Sequence, residues 1–293
     1  MKLENKTAEE QYLSLCHRIL DEGVMVKNER TRKGCLTVIN ADFEYDASKG
    51  KLPLLTTRKT FWRGAIAEIL GYLRGYDNAQ QFADIGCRTW FANANETKAW
   101  LSNKYRKGQD DIGRAYGVQL RDWRNPENKT IDQLKNVVDI LSTGYDNRRL
   151  IMTFHNPGEL DRAALDACMH THHFSVLGDT LFLTSYQRSI DVPLGLAFNM
   201  PQTVFLLRIM AQITGLKPGK VYHKLVNCHL YDDQIELMRE QLSRSPFAEP
   251  SFHISQDIKT LEDLESWVDP QDKSHFWVED YEHHPHIKYP FAA

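Results

Sequence analysis

The sequence has few cysteines, no long apolar run and no excess of positive charge. Its five cysteines are an odd number without a Cys-x-x-Cys pair, which argues against a disulfide framework and a zinc knuckle. The net charge of −3 argues against general nucleic-acid binding, which depends on a basic surface. No secretory signal is expected at the start, and no stretch approaches the length of a membrane-spanning helix. We therefore expect a cytoplasmic protein.

The pattern of apolar residues predicts a single α+β domain over residues 1–293, with a mixed or antiparallel sheet and flanking helices. Residues 77–128 are polar and predict a loop-rich subdomain. Pro201 indicates a helix start that leads to a stop near Gly215. Helical spacing and β-branched runs predict the remaining elements: helices at 8–22, 61–73, 131–141 and 230–242, and strands at 36–39, 149–154, 172–177, 181–187 and 221–228.

Cys168 is the strongest candidate for a catalytic side chain. A thiolate is the reactive form of cysteine, and a neighbouring cation stabilises it. Arg188 lies near the end of a predicted strand that could pair with the strand carrying Cys168. An isolated cysteine is more often a buried structural thiol, but this setting favours a nucleophile.

Two polar residues are candidates for direct contact with a ligand. Asn199 has an amide that both donates and accepts, so it can complement an N–H beside a C=O, as in uracil rather than cytosine. Its alternative role is to cap a helix. Glu68 lies on an otherwise apolar helix face; it either reaches solvent or, if buried near a ligand, has a raised pKa and relays protons.

Further polar residues suit a phosphorylated sugar. Arginine presents a planar fork that matches phosphate, and several arginines together suit a dianion. His229 and Tyr231 could bond a sugar hydroxyl or simply cap a strand end, and Asp191 is as ambiguous as Glu68. The arginine candidates occur in three separate segments: Arg30, the pair Arg148 and Arg149, and Arg188.

A cluster of Cys168, His170, His172 and His173 raises the question of a metal site. Strand alternation would place the first three side chains on one face and His173 on the other. Near neighbours on one straight strand rarely converge on one ion, and a metal would quench the nucleophile. We therefore predict no metal.

The order of these residues resembles the thymidylate synthase superfamily, from Arg30 to the end of the chain. The most specific part of the match runs from Tyr186-Gln187-Arg188-Ser189 to Asn199. The resemblance implies catalytic roles for Cys168, Glu68, Asp191 and Tyr116. It implies nucleotide binding by Arg30, Arg148, Arg149, Arg188, Ser189, Asn199, His229 and Tyr231, and folate contacts by Trp90, Asp191, Gly195, Arg58 and Ala293.

The resemblance also implies a reaction. The Cys168 thiolate adds to C6 of a pyrimidine nucleotide, and C5 then takes a one-carbon unit from 5,10-methylenetetrahydrofolate. A homodimer is implied, in which Arg148 and Arg149 complete the partner's site. Synthases reduce the methylene group on C5 to a methyl group, whereas hydroxymethylases hydrate it.

Several positions depart from the synthase pattern, at Met169, His173, Leu120 and the segment 91–93. Because such positions would shape the water structure and the seat of the pterin, we expect hydration and a product of 5-hydroxymethyl-dUMP, as in a phage-type deoxyuridylate hydroxymethylase in a bacterial cytoplasm. The alternatives are a divergent thymidylate synthase that makes dTMP, a dCMP hydroxymethylase, and a non-catalytic nucleotide- or RNA-binding protein.

Overall fold

A six-stranded mixed sheet forms the centre of the computed structural model, which describes residues 6–27 and 32–291. In the order β1-β2-β8-β7-β6-β5, only the β7–β8 pair is parallel. Two small antiparallel pairs, β3–β4 and β9–β10, lie outside it. The strands are β1 (Val24–Lys27), β2 (Gly34–Asp46), β3 (Trp123–Arg124), β4 (Thr130–Ile131), β5 (Ile151–Thr153), β6 (Met169–Leu177), β7 (Thr180–Asp191), β8 (Lys217–Tyr231), β9 (Ser251–Ile254) and β10 (Phe276–Glu279).

Helices cover one face of this sheet. The central helix α8 packs on β7 and β8, α1 packs on β2, and α2 packs on α8. One hydrophobic core runs through these layers from Ala8 to Tyr289, which confirms the predicted α+β class. The helices are α1 (Ala8–Glu22), α2 (Trp62–Leu73), α3 (Ala79–Asp84), α4 (Trp90–Asn95), α5 (Lys98–Leu101), α6 (Tyr116–Arg121), α7 (Gln133–Leu141), α8 (Ala197–Ile213), α9 (Ile235–Leu242) and α10 (Leu261–Ser266).

The other face of the sheet, here called the open face, is not covered by these helices. It carries partly exposed apolar side chains on four strands, and its polar members alternate with buried residues on the same strands. Exposed apolar residues of the open face include Ile39, Ile151, Tyr186 and Val226, which are 39% to 60% exposed.

A β-bulge interrupts β6 beside its start. The pairing of β6 with β7 shifts between Met169 and Thr171, so two residues on β6 face one on β7. The shift changes the alternation, and Met169 and His172 are both buried. The expectation that Cys168, His170 and His172 share a face is therefore wrong, because simple alternation assumes an unbroken ladder.

The polar segment at residues 77–128 contains more regular structure than its composition suggests. It holds the short helices α3 to α6, and Phe82, Trp90 and Trp100 contribute to the same core as the sheet. These short helices escape the sequence pattern, because a short helix buries only one narrow face and needs few apolar residues; the rest of the segment is irregular, and a loop-rich subdomain stays a prediction.

The chain reaches α8 through one π-helical turn, Val192–Leu196. The Asp191 side chain accepts a hydrogen bond from the Leu194 N–H at 3.1 Å and so fixes the start of this turn. Helix α8 begins at Ala197, so Pro201 lies inside the helix rather than at its start. By length and composition, Val192–Ile213 could cross a membrane, contrary to the expectation from sequence, but 72% of its most apolar window is buried in the protein.

Candidate active site

Strand pairing brings Cys168 and Arg188 together. The Arg188 N–H donates to the Cys168 carbonyl at 2.9 Å, which continues the β6–β7 ladder. The guanidinium of Arg188 contacts the residues just before β6. Its Nε donates to the Ala167 carbonyl at 3.0 Å, and its Nη2 lies 3.8 Å from the Cys168 Sγ. Asp166 adds an ion pair at 3.5 Å. The thiol is partly exposed, so a cation lies beside an accessible sulfur.

Tyr116 holds the backbone at the nucleophile. The Cys168 N–H donates to the Tyr116 hydroxyl at 2.8 Å. The Tyr116 ring stacks on Tyr72 with centroids 4.6 Å apart, and its φ of 22° is unusual for a residue other than glycine. Burial raises the pKa of the Tyr116 hydroxyl well above its usual value, so the hydroxyl stays protonated near neutral pH.

Glu68 lies on α2 with its carboxylate held by neutral donors. Gln202 Nε2 donates to Oε2 at 2.8 Å, and the Thr89 hydroxyl donates to Oε1 at 2.9 Å. The Cys87 thiol lies 4.0 Å from the same Oε1. Burial raises the pKa of Glu68, and the bonds from Gln202 and Thr89 oppose that rise. A carboxyl group in this setting can exchange a proton closer to neutral pH than a solvated one.

The Asn199 side chain is bonded to two buried amides. Gln187 Nε2 donates to Asn199 Oδ1 at 2.8 Å, and Asn199 Nδ2 donates to Gln202 Oε1 at 2.8 Å. Asn199 lies within α8, whose first residue is Ala197 and whose N-cap has no side-chain hydrogen bond. The alternative role of Asn199 as a helix cap is therefore wrong, since the helix begins two residues earlier.

The parallel pairing of β7 with β8 aligns a second group of candidates. Ser189 pairs with Asn227, and Asp191 pairs with His229. His229 Nδ1 lies 2.9 Å from Asn227 Oδ1, and its ring packs edge-on against Tyr231 with centroids 5.3 Å apart. The register thus places the predicted sugar-binding residues beside the strand that carries Arg188.

Asp191 is a partly buried carboxyl at the end of β7. Gln234 Nε2 approaches Asp191 Oδ2 at 3.2 Å and the Pro290 carbonyl at 3.0 Å, which ties the C-terminal segment to this residue. Burial raises the pKa of Asp191 to about 6, although the bonds from Leu194 and Gln234 lower it. A Cβ at the nearby Gly195 would approach the Ile190 Cδ1 to 2.6 Å, so glycine permits close packing here.

Arg58 and Trp90 are more enclosed than a ligand-contact role suggests. Arg58 is 5% exposed; its Nη2 donates to the Pro193 carbonyl, and its Nε donates to Gln241 Oε1 at 3.1 Å. The guanidinium lies 5.1 Å from the ring centroid of Tyr289. Trp90 is 3% exposed and packs edge-on against Tyr116. Both side chains therefore support the residues of the site: Trp90 packs against Tyr116, and Arg58 contacts Pro193. Arg58 also holds the C-terminal segment through Tyr289.

Two of the remaining candidate arginines lie in an exposed loop. Arg148 and Arg149 are exposed in the loop before β5, where Asp146 and Asn147 accept from their backbone N–H groups at 2.6 and 2.9 Å. Neither guanidinium has an ion pair within the described ranges 6–27 and 32–291. Arg30 and Ala293 fall outside the described residues.

The histidines after Cys168 do not form a metal site. In the described part of the chain, no group of three or more His, Cys, Asp or Glu residues could hold an ion. His172 is fully buried, and its Nδ1 lies 2.8 Å from the Ser185 hydroxyl. Burial lowers the pKa of His172 to about 3, so the imidazole is neutral near pH 7.

The positions that depart from the synthase pattern are spread over three elements, α4, α6 and β6. Met169 and Leu120 are buried, with 2% and 1% exposure. His173 pairs with Ile151 and Thr184, five residues along β6 from Cys168, which corresponds to roughly 16 Å of strand. This placement separates His173 from the thiol, and the expectation that these positions together shape the water structure and the seat of the pterin stays a prediction.

Two residues of the site had no predicted role. Gln187 and Gln202 are 1% and 0% exposed and bond to both ends of the Asn199 amide. The signal for Gln202 was its position three residues after Asn199 on a helix, where side chains meet. The signal for Gln187 was its position next to Arg188 on a predicted strand. Because alternation places neighbours on opposite faces, an exposed Arg188 implies a buried Gln187.

Comparisons with known proteins agree with this geometry. The sequence model of the family described as Thymidylate synthase matches residues 10–293. The chain is 61% identical to the thymidylate synthase of Idiomarina loihiensis over 284 residues, which covers 97% of this chain and 99% of that protein. The chain belongs to the thymidylate synthase family. The thymidylate synthases of Shewanella loihica and Actinobacillus succinogenes are each 60% identical over 284 residues, with the same coverage.

Family membership confirms the superfamily inferred from the sequence motifs, and 5,10-methylenetetrahydrofolate as co-substrate. The narrower prediction of a phage-type hydroxymethylase gains no support, because the relatives named above are all described as thymidylate synthases. Of the alternatives raised by the sequence, these matches favour the synthase.

Proposed function

We propose that this protein is a thymidylate synthase, which converts dUMP and 5,10-methylenetetrahydrofolate to dTMP and dihydrofolate. The single observation that carries a covalent mechanism is the 3.8 Å contact between Arg188 Nη2 and Cys168 Sγ. A guanidinium at this distance stabilises a thiolate and, in the same position, can contact a phosphate. The identity of 61% to a named thymidylate synthase supports reduction over hydration.

The chain's own residues account for the base chemistry. The Cys168 sulfur attacks C6 of the uracil ring, and negative charge moves to C5 and O4. The Asn199 amide hydrogen-bonds to the O4 and N3 edge of the base. Glu68, which is held by Gln202 and Thr89, transfers protons near that edge. The Tyr116 hydroxyl fixes the Cys168 backbone, so the sulfur attacks from a defined position.

The residues at Asp191 fit a folate. A pterin ring presents N–H donors, and a partly buried carboxyl beside a close-packed glycine is a suitable acceptor for a flat ring. When bound, the folate supplies the one-carbon unit and the hydride. Asp191 and Gly195 would hold the ring, Trp90 would brace it from behind, and Gln234 would link it to the C-terminal segment through the Pro290 carbonyl.

A homodimer would use the open face of the sheet. Ile39, Ile151, Tyr186 and Val226 form a partly exposed apolar surface that the helices of the described ranges leave uncovered, and surfaces of this kind mark protein interfaces. Arg148 and Arg149 project from the adjoining loop with exposed guanidinium groups. Pairing two open faces would let these arginines reach the partner's phosphate site, and the protein would act in the cytoplasm.

One incubation tests the product. Purified protein with dUMP and 5,10-methylenetetrahydrofolate should yield dTMP and one equivalent of dihydrofolate, measured by its near-ultraviolet absorbance and by the product mass. A product heavier by one oxygen without an absorbance rise would instead establish the hydroxymethylase. Turnover of dCMP in preference to dUMP would establish the cytidylate enzyme, and no turnover would favour a binding protein.

A further inference from the structure

A row of buried side chains lies behind Asn199 and links it to two distant ends. Gln202 and His223 are fully buried, and Gln187 is 1% exposed, whereas Asn199 is partly exposed. The row runs from Glu68 through Gln202, Asn199 and Gln187 to His223. Neutral amides in such a row can each point in either of two directions, so the ends decide the direction of the whole row.

The Glu68 end fixes the direction of Gln202. Gln202 Nε2 lies 2.8 Å from Glu68 Oε2 and 3.1 Å from the Ala65 carbonyl oxygen. A backbone carbonyl can only accept, so Gln202 must present its NH₂ group to this end even when Glu68 is protonated. The Gln202 oxygen therefore faces Asn199, which must donate from Nδ2.

The same logic continues to the other end. Asn199 Oδ1 faces Gln187 Nε2 at 2.8 Å, and that nitrogen also approaches the Ser189 carbonyl at 3.4 Å. Gln187 Oε1 then lies 2.9 Å from His223 Nε2, so His223 must carry its proton there. Its Nδ1 is left to accept from the Tyr45 hydroxyl at 3.4 Å. Burial lowers the pKa of His223 to about 3, which keeps the ring neutral.

We propose that Gln202 is a positioning residue that locks the Asn199 amide in one orientation and thereby selects uracil over cytosine, and that His223 closes the row in the tautomer that this orientation requires. This inference rests on the proposed function of Asn199. The row uses one N–H and one oxygen lone pair of the Asn199 amide, which leaves one N–H and one lone pair for a base. In the locked orientation these two free groups match the C=O and the adjacent N–H of uracil. Cytosine presents the reverse pattern and would require the amide to flip against both neighbours.

Nucleotide binding to the Cys168→Ser protein tests the proposal without depending on turnover. Gln202→Met keeps the side-chain length but removes both hydrogen-bonding groups, so the Asn199 amide can flip. We expect the ratio of the dCMP to the dUMP dissociation constant, measured by calorimetry, to fall about tenfold, on the order of the effect of one buried hydrogen bond. Gln212→Met on the same helix, whose amide bonds to the Ser255 and Ile258 carbonyls, is the matched control and should leave the ratio unchanged.

An unchanged ratio in a folded Gln202→Met protein would overturn the proposal. A second measurement applies if that variant fails to fold or if neither nucleotide binds: ¹⁵N NMR of the imidazole of His223 in the nucleotide-free protein. The locked row requires a proton on Nε2 and none on Nδ1, and the opposite tautomer would overturn the proposal. A shifted ratio in a protein that makes no dTMP would contradict the proposed function while supporting the role of Gln202.

Discussion

Two adjacent residues of β7, Gln187 and Arg188, lie in opposite environments. Gln187 is 1% exposed and bonds to Asn199 and His223 within the helix-covered side of the sheet. Arg188 is exposed at the strand end, with its guanidinium beside the Cys168 sulfur. The comparison shows that the two faces of β7 carry different functional groups. One face holds neutral groups in fixed orientations, and the other places a positive charge beside a reacting thiol and an anion.

The largest expected effect is at the charged side. Cys168→Ser should lower turnover of dUMP by about 10⁴-fold or more, because a hydroxyl in this position is a far weaker nucleophile than a thiolate. Binding of dUMP, measured by calorimetry, should remain. Cys16→Ser is the control, since that thiol is 1% exposed in helix α1, which packs mainly on β2 rather than on β6 or β7. Equal activity of Cys168→Ser and the native protein would refute the nucleophile.

Glu68→Gln probes the neutral side. A glutamine can still accept from Gln202 and Thr89 but cannot exchange a proton, so turnover should fall about 10³-fold while the protein stays folded. The measurement is kcat together with the thermal midpoint. Glu249→Gln is matched to it, since burial also raises the pKa of Glu249, which bonds to the Ala8 N–H far from the thiol. A loss of equal size in both variants would assign Glu68 a purely structural role.

Asp191 gives a prediction about stability and pH. Its pKa is about 6 in the folded protein against 3.8 for an ordinary aspartate, so the folded state holds a proton that the unfolded state releases. Stability from this group is therefore present below about pH 4 and is lost as the pH rises toward 6 and above, by about 2–3 kcal/mol. Between pH 4 and pH 7, the free energy of unfolding of the native protein should fall by about 2–3 kcal/mol more than that of Asp191→Asn, as measured by denaturant unfolding. Parallel pH profiles of the two proteins would contradict this expectation.

The smallest effect is expected on the open face. Val226→Lys should weaken self-association and, through it, lower turnover about tenfold, because a lysine in the centre of an apolar interface must be desolvated. Sedimentation would record the shift from dimer to monomer. Leu160→Lys, at a similar exposure outside the open face, should leave the mass unchanged. A native protein that is monomeric at working concentration would exclude the proposed dimer.

The sequence predicted the fold class well, since helical and strand periods report directly on which side of an element is buried. Helix α1 was predicted at its observed bounds, 8–22. The β6 bulge was missed because one extra residue in a ladder leaves no mark in the pattern of apolar residues. The helices in residues 77–128 were missed because short elements carry too few apolar positions to establish a period.

The candidate site was predicted unevenly. Cys168 and Arg188 could be paired because both lie at the ends of predicted neighbouring strands, and the structure brings them within 3.8 Å. The bond between Asn199 and Gln202 could have been inferred from their spacing on one helix, whereas the roles of Gln187 and His223 could not, because their bonds join separate elements, β7, α8 and β8. His173 is less central than its place in the sequence suggested, since five residues of extended strand separate it from Cys168 by roughly 16 Å.

The most direct test of the central claim is the mass of the protein after incubation with 5-fluoro-dUMP and 5,10-methylenetetrahydrofolate. A fluorine at C5 cannot leave as a proton does, so the reaction should stop with the nucleotide and folate covalently attached. Peptide mapping should locate the adduct on Cys168, and Cys168→Ser should form none. An unmodified protein, or an adduct on another cysteine, would contradict the account.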